Sequence, residues 1–155
     1  MTMITLQQAD TIIDAILKRG RELKCRPIAA IVLELGAKVK VFKKDDFSEM
    51  MRFEMAYGKA YAALAMGRSS TLVRVRTEQR PLFMNYLIQA SDGQIFPEGG
   101  GVLIRNDQGE VIGAVGVSGD RQERDEELAI NGVHAAGLKT DEDCAHMNVF
   151  ARLEN

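Results

Sequence analysis

The sequence predicts a single α+β domain in which helices flank a mainly antiparallel sheet. A length of 155 residues suits one domain. A composition of 46% hydrophobic and 27% charged residues is ordinary for a globular protein. The strand-like segments occur in pairs joined by short turns, an arrangement that antiparallel hairpins permit and parallel strands do not. We therefore expect the order helix, two strands, three helices, two strands and a last helix.

The first third of the chain predicts a helix followed by a hairpin. Thr5 and Gln8 have the spacing of a capping box, and apolar residues at helical spacing follow them. Residues 28–33 form an apolar run of strand length, and residues 36–37 suit a turn. Polar and apolar residues nearly alternate over 38–43, which predicts a strand at the edge of the sheet.

The middle of the chain predicts three helices in succession. Ser48 is placed to cap a long helix that runs to about Met66, and Gly67 suits the left-handed residue after its end. Ser69 or the serine after it suits the cap of a short third helix. A proline suits the first turn of a fourth helix over 81–89.

The second hairpin and the last helix follow. Residues 102–104 and 111–117 read as strands, with a turn at 106–109 between them. Asp120 is placed to cap a helix over about 122–138.

We place the domain boundary after this last helix. The domain is expected at 1–138, and a polar C-terminal tail at 139–155. Asp10 and Asp14 interrupt the apolar N-terminal region, which argues against a signal peptide and a membrane span. Two cysteines cannot form a disulfide framework, so the sequence predicts free thiols and a cytoplasmic location.

Charge and histidine content restrict the function classes. Twenty basic residues against 22 acidic ones give a net charge of −2, which does not favour a nucleic-acid partner. The only histidines are His134 and His146, and no motif joins a nucleophile to a base. The sequence therefore assigns no catalytic residue and favours a non-catalytic role. His134 and His146 are the candidate metal ligands. A structural zinc site needs four ligands at defined spacing, and the sequence does not supply such a set around them.

Glycines mark the candidate binding region. Gly99, Gly100 and Gly101 precede a strand, whereas a phosphate loop would precede a helix. They predict either a flexible entry to the strand or a close approach of backbone to a ligand or neighbour. Gly116, within the next strand, predicts a closely packed helix or a ligand over the sheet. Ser118 precedes a helix start and is a candidate for holding an anion.

An arginine cluster offers a second candidate. Arg68, Arg74, Arg76 and Arg80 lie close together with Glu78 as the only acid among them. Arginine pairs with carboxylates through its planar guanidinium, so this cluster fits a carboxylate ligand, a solvated face or a face between subunits.

Several stretches in combination resemble the GlcG/HbpS-like family, the haem-binding or haem-degrading domain family. The most specific of them is the glycine triplet together with Gly-Ala-x-Gly-Val-Ser-Gly at 113–119. The resemblance covers about residues 3–138, and the sequence departs from it at the first hairpin turn, where 34–37 reads Glu-Leu-Gly-Ala. The matching stretches are 5–9, 59–63, 67–68, 99–104, 111–119 and 125–129.

The resemblance implies a profilin-like α-β-α domain with a five-stranded antiparallel sheet. It also implies assembly into homo-oligomers, and the small residues at 60–65 agree with a close packing surface. Some members bind haem. A related domain forms the C-terminal part of the corrinoid adenosyltransferase of propanediol degradation, and others accompany glycolate, glycerol or diol utilisation.

Two functional hypotheses lead, ahead of a third, an enzyme of small-molecule metabolism, which has no nucleophile, base and orienting group in the sequence to support it. The first is a non-catalytic domain that binds a small ligand such as haem or a corrinoid, with Arg68, Gly99, Gly100, Gly101, Gly116 and Ser118 at the site. The second is an accessory or interaction subunit of a glycerol, diol or glycolate pathway with no cofactor. A ligand binder should expose a concave apolar pocket. An accessory subunit should bury its glycines against its own helices and expose an apolar patch.

Overall fold

The computed structural model describes residues 3–147 and shows five α-helices around one sheet in this part of the chain. The elements follow the predicted order. They are α1 (Leu6–Glu22), β1 (Ala29–Glu34), β2 (Val39–Lys44), α2 (Arg52–Met66), α3 (Ser70–Gln79), α4 (Pro81–Ala90), β3 (Gly101–Arg105), β4 (Val111–Ser118), α5 (Gln122–Ala135) and a short 3-10 helix (Glu142–Cys144).

The sheet has four strands in the order β2-β1-β4-β3, and every pairing is antiparallel. The expected fifth strand is wrong for the described residues. The chain beyond α5 pairs with β3 only through a single bridge between Arg105 and Lys139, which is too short to form a strand. The first hairpin puts β2 at an edge, as its alternating sequence predicts.

Helices cover both faces of the sheet. Ala30 and Val32 of β1 pack with α1 and α5, whereas Ile31 and Leu33 pack with α2 on the opposite face. This alternation follows from the period of two residues along a strand. Because both faces are covered, β1 and β4 are almost fully buried, and their sequences are apolar up to Glu34 and Ser118 at their ends.

The helix ends confirm some of the predicted caps and correct others. The Thr5 capping box is present, Ser69 caps α3, and Gly67 ends α2 with φ +67°. The predicted cap at Ser48 is wrong, because α2 starts three residues later, with Met51 as its N-cap and no side-chain cap bond. Arg121, rather than Asp120, is the N-cap of α5.

The last helix ends at Ala135, short of the predicted 138, because Gly137 turns the backbone with φ +73°. Residues 139–147 then pack against the domain, and Cys144 among them is fully buried. The predicted boundary between domain and tail stays a prediction, and residues 1–2 and 148–155 lie outside the described part.

Two further expectations concern the thiols and the membrane. Cys25 and Cys144 are both free, as predicted. Among the helices within residues 3–147, none is long and apolar enough to cross a membrane.

Candidate functional site

Helix α2 lies unusually close to the sheet because two strand residues lack side chains. A Cβ atom at Gly116 would overlap the carbonyl oxygen of Ala56, and one at Gly101 would overlap that of Lys59. The two glycines are register partners on β4 and β3, so they form one shallow trough for the helix. Of the two alternatives open for Gly116, the structure shows the packed helix.

This close approach buries an ion pair. The ammonium of Lys59 on α2 donates to Oδ2 of Asp125 on α5 at 2.9 Å and to the carbonyl of Val117 at 2.9 Å. The side chains are 4% and 1% exposed. The pair therefore joins helices from opposite faces of the sheet. Burial raises the pKa of the Asp125 carboxyl, while the neighbouring Lys59 ammonium acts in the opposite direction.

The glycine triplet wraps around this pair. Gly100 has φ +131°, and a Cβ atom there would lie 2.5 Å from the Val117 carbonyl, so no other residue fits without a shift. The amide of Gly101 donates to Ser70 Oγ at 2.7 Å, and that of Gly99 donates to Gln122 Oε1 at 2.9 Å. The triplet is thus held by protein groups from the starts of α3 and α5.

An open groove lies along the first half of α2. Its volume is about 400 Å³, and its far wall is the segment 93–96, which packs onto α2 at Gly58. The Phe96 amide donates to the Gly58 carbonyl at 3.2 Å, which fixes this wall. The lining is mainly apolar and consists of Met51, Phe53, Glu54, Met55, Tyr57, Gly58, Gly93, Gln94, Ile95 and Phe96.

A row of aromatic rings borders the groove. The rings of Phe53 and Tyr57 stack at a centroid distance of 6.1 Å, and Tyr61 continues the row one turn later at 5.9 Å. These residues are four apart and therefore share one face of α2. Tyr57 donates its hydroxyl to Gln94 Oε1 at 3.0 Å, and burial raises its pKa, so the phenol keeps its proton at neutral pH.

Polar contacts connect the groove to the end of β4. The hydroxyl of Ser118 accepts from Arg52 Nη1 at 3.1 Å and contacts the Met55 sulfur at 3.5 Å. Arg52 also donates to that sulfur at 3.4 Å. Arg52 also donates from Nη2 to the exposed carboxylate of Glu49 at 3.3 Å, so its positive charge beside the apolar lining is shared with that ion pair. The Met55 sulfur already has two hydrogen-bond donors.

The structure brings most of the predicted site residues together. Gly100 and Gly101 surround the buried pair with Gly99 next to them, Gly116 lies under α2, and Ser118 follows at the end of β4. Protein atoms fill the space next to these glycines. Arg68 lies in the turn after α2, half-buried, and its buried Nε has no hydrogen-bond partner among the described residues. A ligand-binding role for these residues stays a prediction.

The two histidines lie elsewhere. His134, at the end of α5, shares a 2.7 Å hydrogen bond with Asp143. His146 is exposed in the segment after the short 3-10 helix. Neither is among the residues that line the groove. No group of three or more His, Cys, Asp or Glu residues within 3–147 is arranged to hold a metal ion.

The sequence reasoning missed the groove and the role of the buried pair. The spacing of four between Phe53 and Tyr57 is the signal for the aromatic row, because it puts both rings on one face of a helix. A lysine among the alanines of 56–63 is the signal for the pair, because a buried lysine needs a buried acid.

The family model described as "Haem degrading protein HbpS-like" matches residues 4–134. This chain belongs to the HbpS-like family. A comparison with curated protein sequences gives no match.

Solved structures share the fold. A PduOC–haem complex superposes with a TM-score of 0.80 at 22% identity, covering 90% of this chain and 99% of that one. The Klebsiella pneumoniae protein ORFY gives 0.78 at 23% identity, covering 88% and 93%. A structure of HbpS gives 0.75 at 19% identity, covering 86% and 90%.

The groove can be tested against haem on its own chemistry. Its apolar, aromatic walls fit the faces of a porphyrin, and Arg52 is a cation beside them for a carboxylate. Haem iron is commonly held by histidine, cysteine, methionine or tyrosine. Of these types the lining offers Met51, Met55 and the protonated Tyr57. Because Met55 is already contacted by two donors, Met51 is the candidate iron ligand of this groove.

Proposed function

We propose that this chain is a non-catalytic haem-binding protein whose ligand occupies the α2 groove. The observation that carries the proposal is the open apolar groove along α2, bounded by Phe53, Tyr57 and Phe96. It supplies the concave, mainly apolar pocket with a few polar groups that a small-ligand binder needs. The family, and the haem in the PduOC complex, support haem as the ligand.

The residues of the groove have distinct roles in this proposal. Phe53 and Phe96 would supply apolar contacts to the macrocycle, and Met51 would be the residue that holds the iron. Arg52 meets a carboxylate at the rim beside Ser118. The buried Lys59–Asp125 pair holds α2 in place and does not touch the ligand.

The test is an absorbance titration of the purified protein with haemin, with cobalamin titrated in parallel. We expect a saturable Soret shift with haemin and none with cobalamin. Phe53→Asp should abolish the shift, because it removes an aromatic wall and adds a second carboxylate, beside Glu54, that ligand binding would have to desolvate. Phe47→Asp is the matched control, since Phe47 is 96% exposed and is not part of the lining.

Three further variants identify the iron ligand. Met51→Leu keeps the volume and apolar character of the side chain, so it should alter the spectrum of bound haem more than its affinity. His134→Ala and His146→Ala should leave both unchanged. Loss of binding in either histidine variant, with Met51→Leu unchanged, would contradict the placement in the groove.

A corrinoid is the second ligand to consider, and a saturable change with cobalamin alone would replace haem by it. Weak, non-saturating changes with both ligands would contradict a tetrapyrrole ligand altogether.

The accessory-subunit alternative would then be the better supported function. It is favoured by the glycines buried against α2 and by the exposed apolar residues of α4, both of which that alternative predicts. The pathway and the cytoplasmic location stay predictions.

A further inference from the structure

The guanidinium of Arg52 is anchored to the interior of the protein along one side. Its Nη1 donates to the hydroxyl of Ser118, a buried residue, at 3.1 Å and to the Met55 sulfur at 3.4 Å. The Arg52 side chain is only 16% exposed, so these contacts hold it largely within the protein. Because the guanidinium is planar and rigid, anchoring Nη1 also fixes the direction of the N–H groups on Nη2.

The other side of this guanidinium holds a loosely bound carboxylate. Nη2 donates to Glu49 Oε2 at 3.3 Å. This distance is longer than the roughly 2.7–2.9 Å of a well-formed charge-assisted hydrogen bond. The Glu49 side chain is 73% exposed, and an ion pair with so exposed a partner stabilises little. A second carboxylate can therefore take the place of Glu49 at small cost.

This replaceable carboxylate lies beside the α2 groove. Arg52 stands in the chain between Met51 and Phe53, which both line the groove, and its Nη1 contacts a third lining residue, Met55. Glu49 is not among the lining residues, so its departure would leave the apolar walls intact. The groove thus offers an apolar surface and, next to it, an anchored cation whose present partner is easily exchanged.

We propose that Glu49 is an internal competitor, which occupies the Arg52 guanidinium until the carboxylate of a ligand in the α2 groove displaces it. The inference rests on the proposed function, because it needs a ligand in this groove, and it adds the chemical class of that ligand. The class is a planar apolar molecule with a carboxylate at its edge. Such a molecule places its body on the aromatic wall and its carboxylate on Nη2 of Arg52.

The competition limits the affinity for a ligand of this class. A site that is open for only part of the time has its apparent affinity reduced by the open fraction. For an exposed Arg–Glu pair this loss is roughly two- to sixfold. A neutral ligand of the same shape gains nothing from Arg52 and leaves Glu49 in place. Glu49 thereby determines how strongly the groove prefers an anionic ligand to a neutral one.

The test is an NMR titration of the ¹⁵N-labelled full chain, without haem, with naphthoate and with naphthamide. The two compounds share one planar apolar body, and only naphthoate carries a carboxylate. The wild type should bind naphthoate more tightly, and the side-chain N–H signals of Arg52 should shift with that compound alone. Glu49→Gln should bind naphthoate roughly two- to sixfold more tightly than the wild type does, with an unchanged affinity for naphthamide.

Three further variants separate the ion pair from its surroundings. Arg52→Met should bind the two compounds equally, because the cation is gone. Glu54→Gln removes a charge from the groove lining and leaves the Arg52–Glu49 pair intact, so it should change the preference less than Glu49→Gln does. Glu22→Gln is the matched control and should behave like the wild type, since Glu22 pairs with Arg19 at the same spacing on α1.

Each result supports or overturns the competition. Equal affinities of the wild type for naphthoate and naphthamide would overturn carboxylate recognition by Arg52. A Glu49→Gln variant without a gain would overturn the role of Glu49. An equal gain in Glu54→Gln would assign the effect to general charge repulsion and overturn it as well. Failure of both compounds to bind would overturn the inference as a whole.

Haemin takes no part in this titration, so the two proposals can fail separately. If naphthoate behaves as expected and haemin does not bind, haem is the wrong ligand and the competition by Glu49 stands. If haemin binds in the groove and naphthoate does not bind, the proposed function stands and the inference about Glu49 fails.

Discussion

At the scale of single residues, the absence of a side chain determines how close two elements can come. Gly101 and Gly116 lie where α2 crosses β3 and β4, and each leaves room for a main-chain carbonyl of the helix. The small residues Ala56 and Ala60 complete the contact from the helix side. The α2 backbone can therefore pack directly on the strand backbone only because both surfaces are small, glycine on the sheet and alanine on the helix.

A comparison of two glycines tests this interpretation. Gly116→Ala should lower the free energy of unfolding by roughly 1–3 kcal/mol, because the new methyl group meets the backbone of α2. Gly99→Ala should cost less, since its nearest contacts are the side chains of Thr71 and Gln122, which can move. Urea unfolding of both variants measures the difference, and equal losses would contradict it.

At the scale of elements, the segment after α5 is held by two separate contacts. Arg105 at the end of β3 donates to Asp141 Oδ1 at 2.7 Å. Asp143 accepts from the Thr140 backbone amide at 2.8 Å and shares a hydrogen bond with His134. These contacts fasten residues 139–147 to the ends of β3 and α5, which explains why Cys144 is buried.

The hydrogen bonds at Asp143 predict a dependence of stability on pH. Burial alone would raise the pKa of this carboxyl, but the Thr140 amide and His134 outweigh it and the pKa is lowered. Because the pKa is lower in the folded state, ionised Asp143 adds to the free energy of unfolding at pH values above the ordinary pKa of about 3.9. This stabilisation is lost as the pH falls through the lowered folded-state pKa.

Asp143→Asn should therefore destabilise the chain at pH 7 by about 1 kcal/mol, since the side chain is a third exposed and solvent weakens its contacts. The difference between variant and wild type should shrink as the pH falls below about 4, and it should vanish only below the lowered folded-state pKa of Asp143, where the carboxyl is protonated. Urea midpoints measured from pH 3 to 7 check this. A constant difference across the range would show that the charge of Asp143 has no part in it.

At the scale of the whole molecule, the Lys59–Asp125 pair connects the two helical layers. Lys59 comes from the layer on one face and Asp125 from the layer on the other, and they meet at the end of the sheet, beside Gly100 and the Val117 carbonyl. Asp125 also accepts from the Asp120 amide at 3.0 Å, which orients the carboxylate. A buried pair of this kind stabilises little by itself, but either partner alone would be an unpaired buried charge.

Lys59→Met should accordingly lower the free energy of unfolding by about 3–5 kcal/mol, because it leaves the Asp125 carboxylate without its cation. The double variant Lys59→Met, Asp125→Leu should regain most of that loss. Chemical denaturation of the wild type and both variants provides the comparison. A double variant no more stable than the single one would contradict the pairing as the cause, even if the single variant fails to fold.

Much of the fold was predictable because its signals are local. The Thr5 capping box, Gly67 and the alternation in 38–43 act over a few residues, and the structure confirms each of them. Gly137 ends α5 by a local turn like that of Gly67, a signal that the predicted end at residue 138 passed over. The fifth strand is an error of another kind, because strand pairing depends on remote segments, and here a single bridge to Lys139 takes its place.

By itself, the sequence determined the class of the fold, the order of its elements and the family, since periodicity, caps and motifs are written along the chain. Only the tertiary structure decided which groups meet. It placed the glycines under α2, joined Lys59 to Asp125 across 66 positions, and left the groove of Phe53 and Phe96 and the face of α4 exposed. The reason is physical: burial and contact depend on the packing of remote segments, which no local pattern specifies.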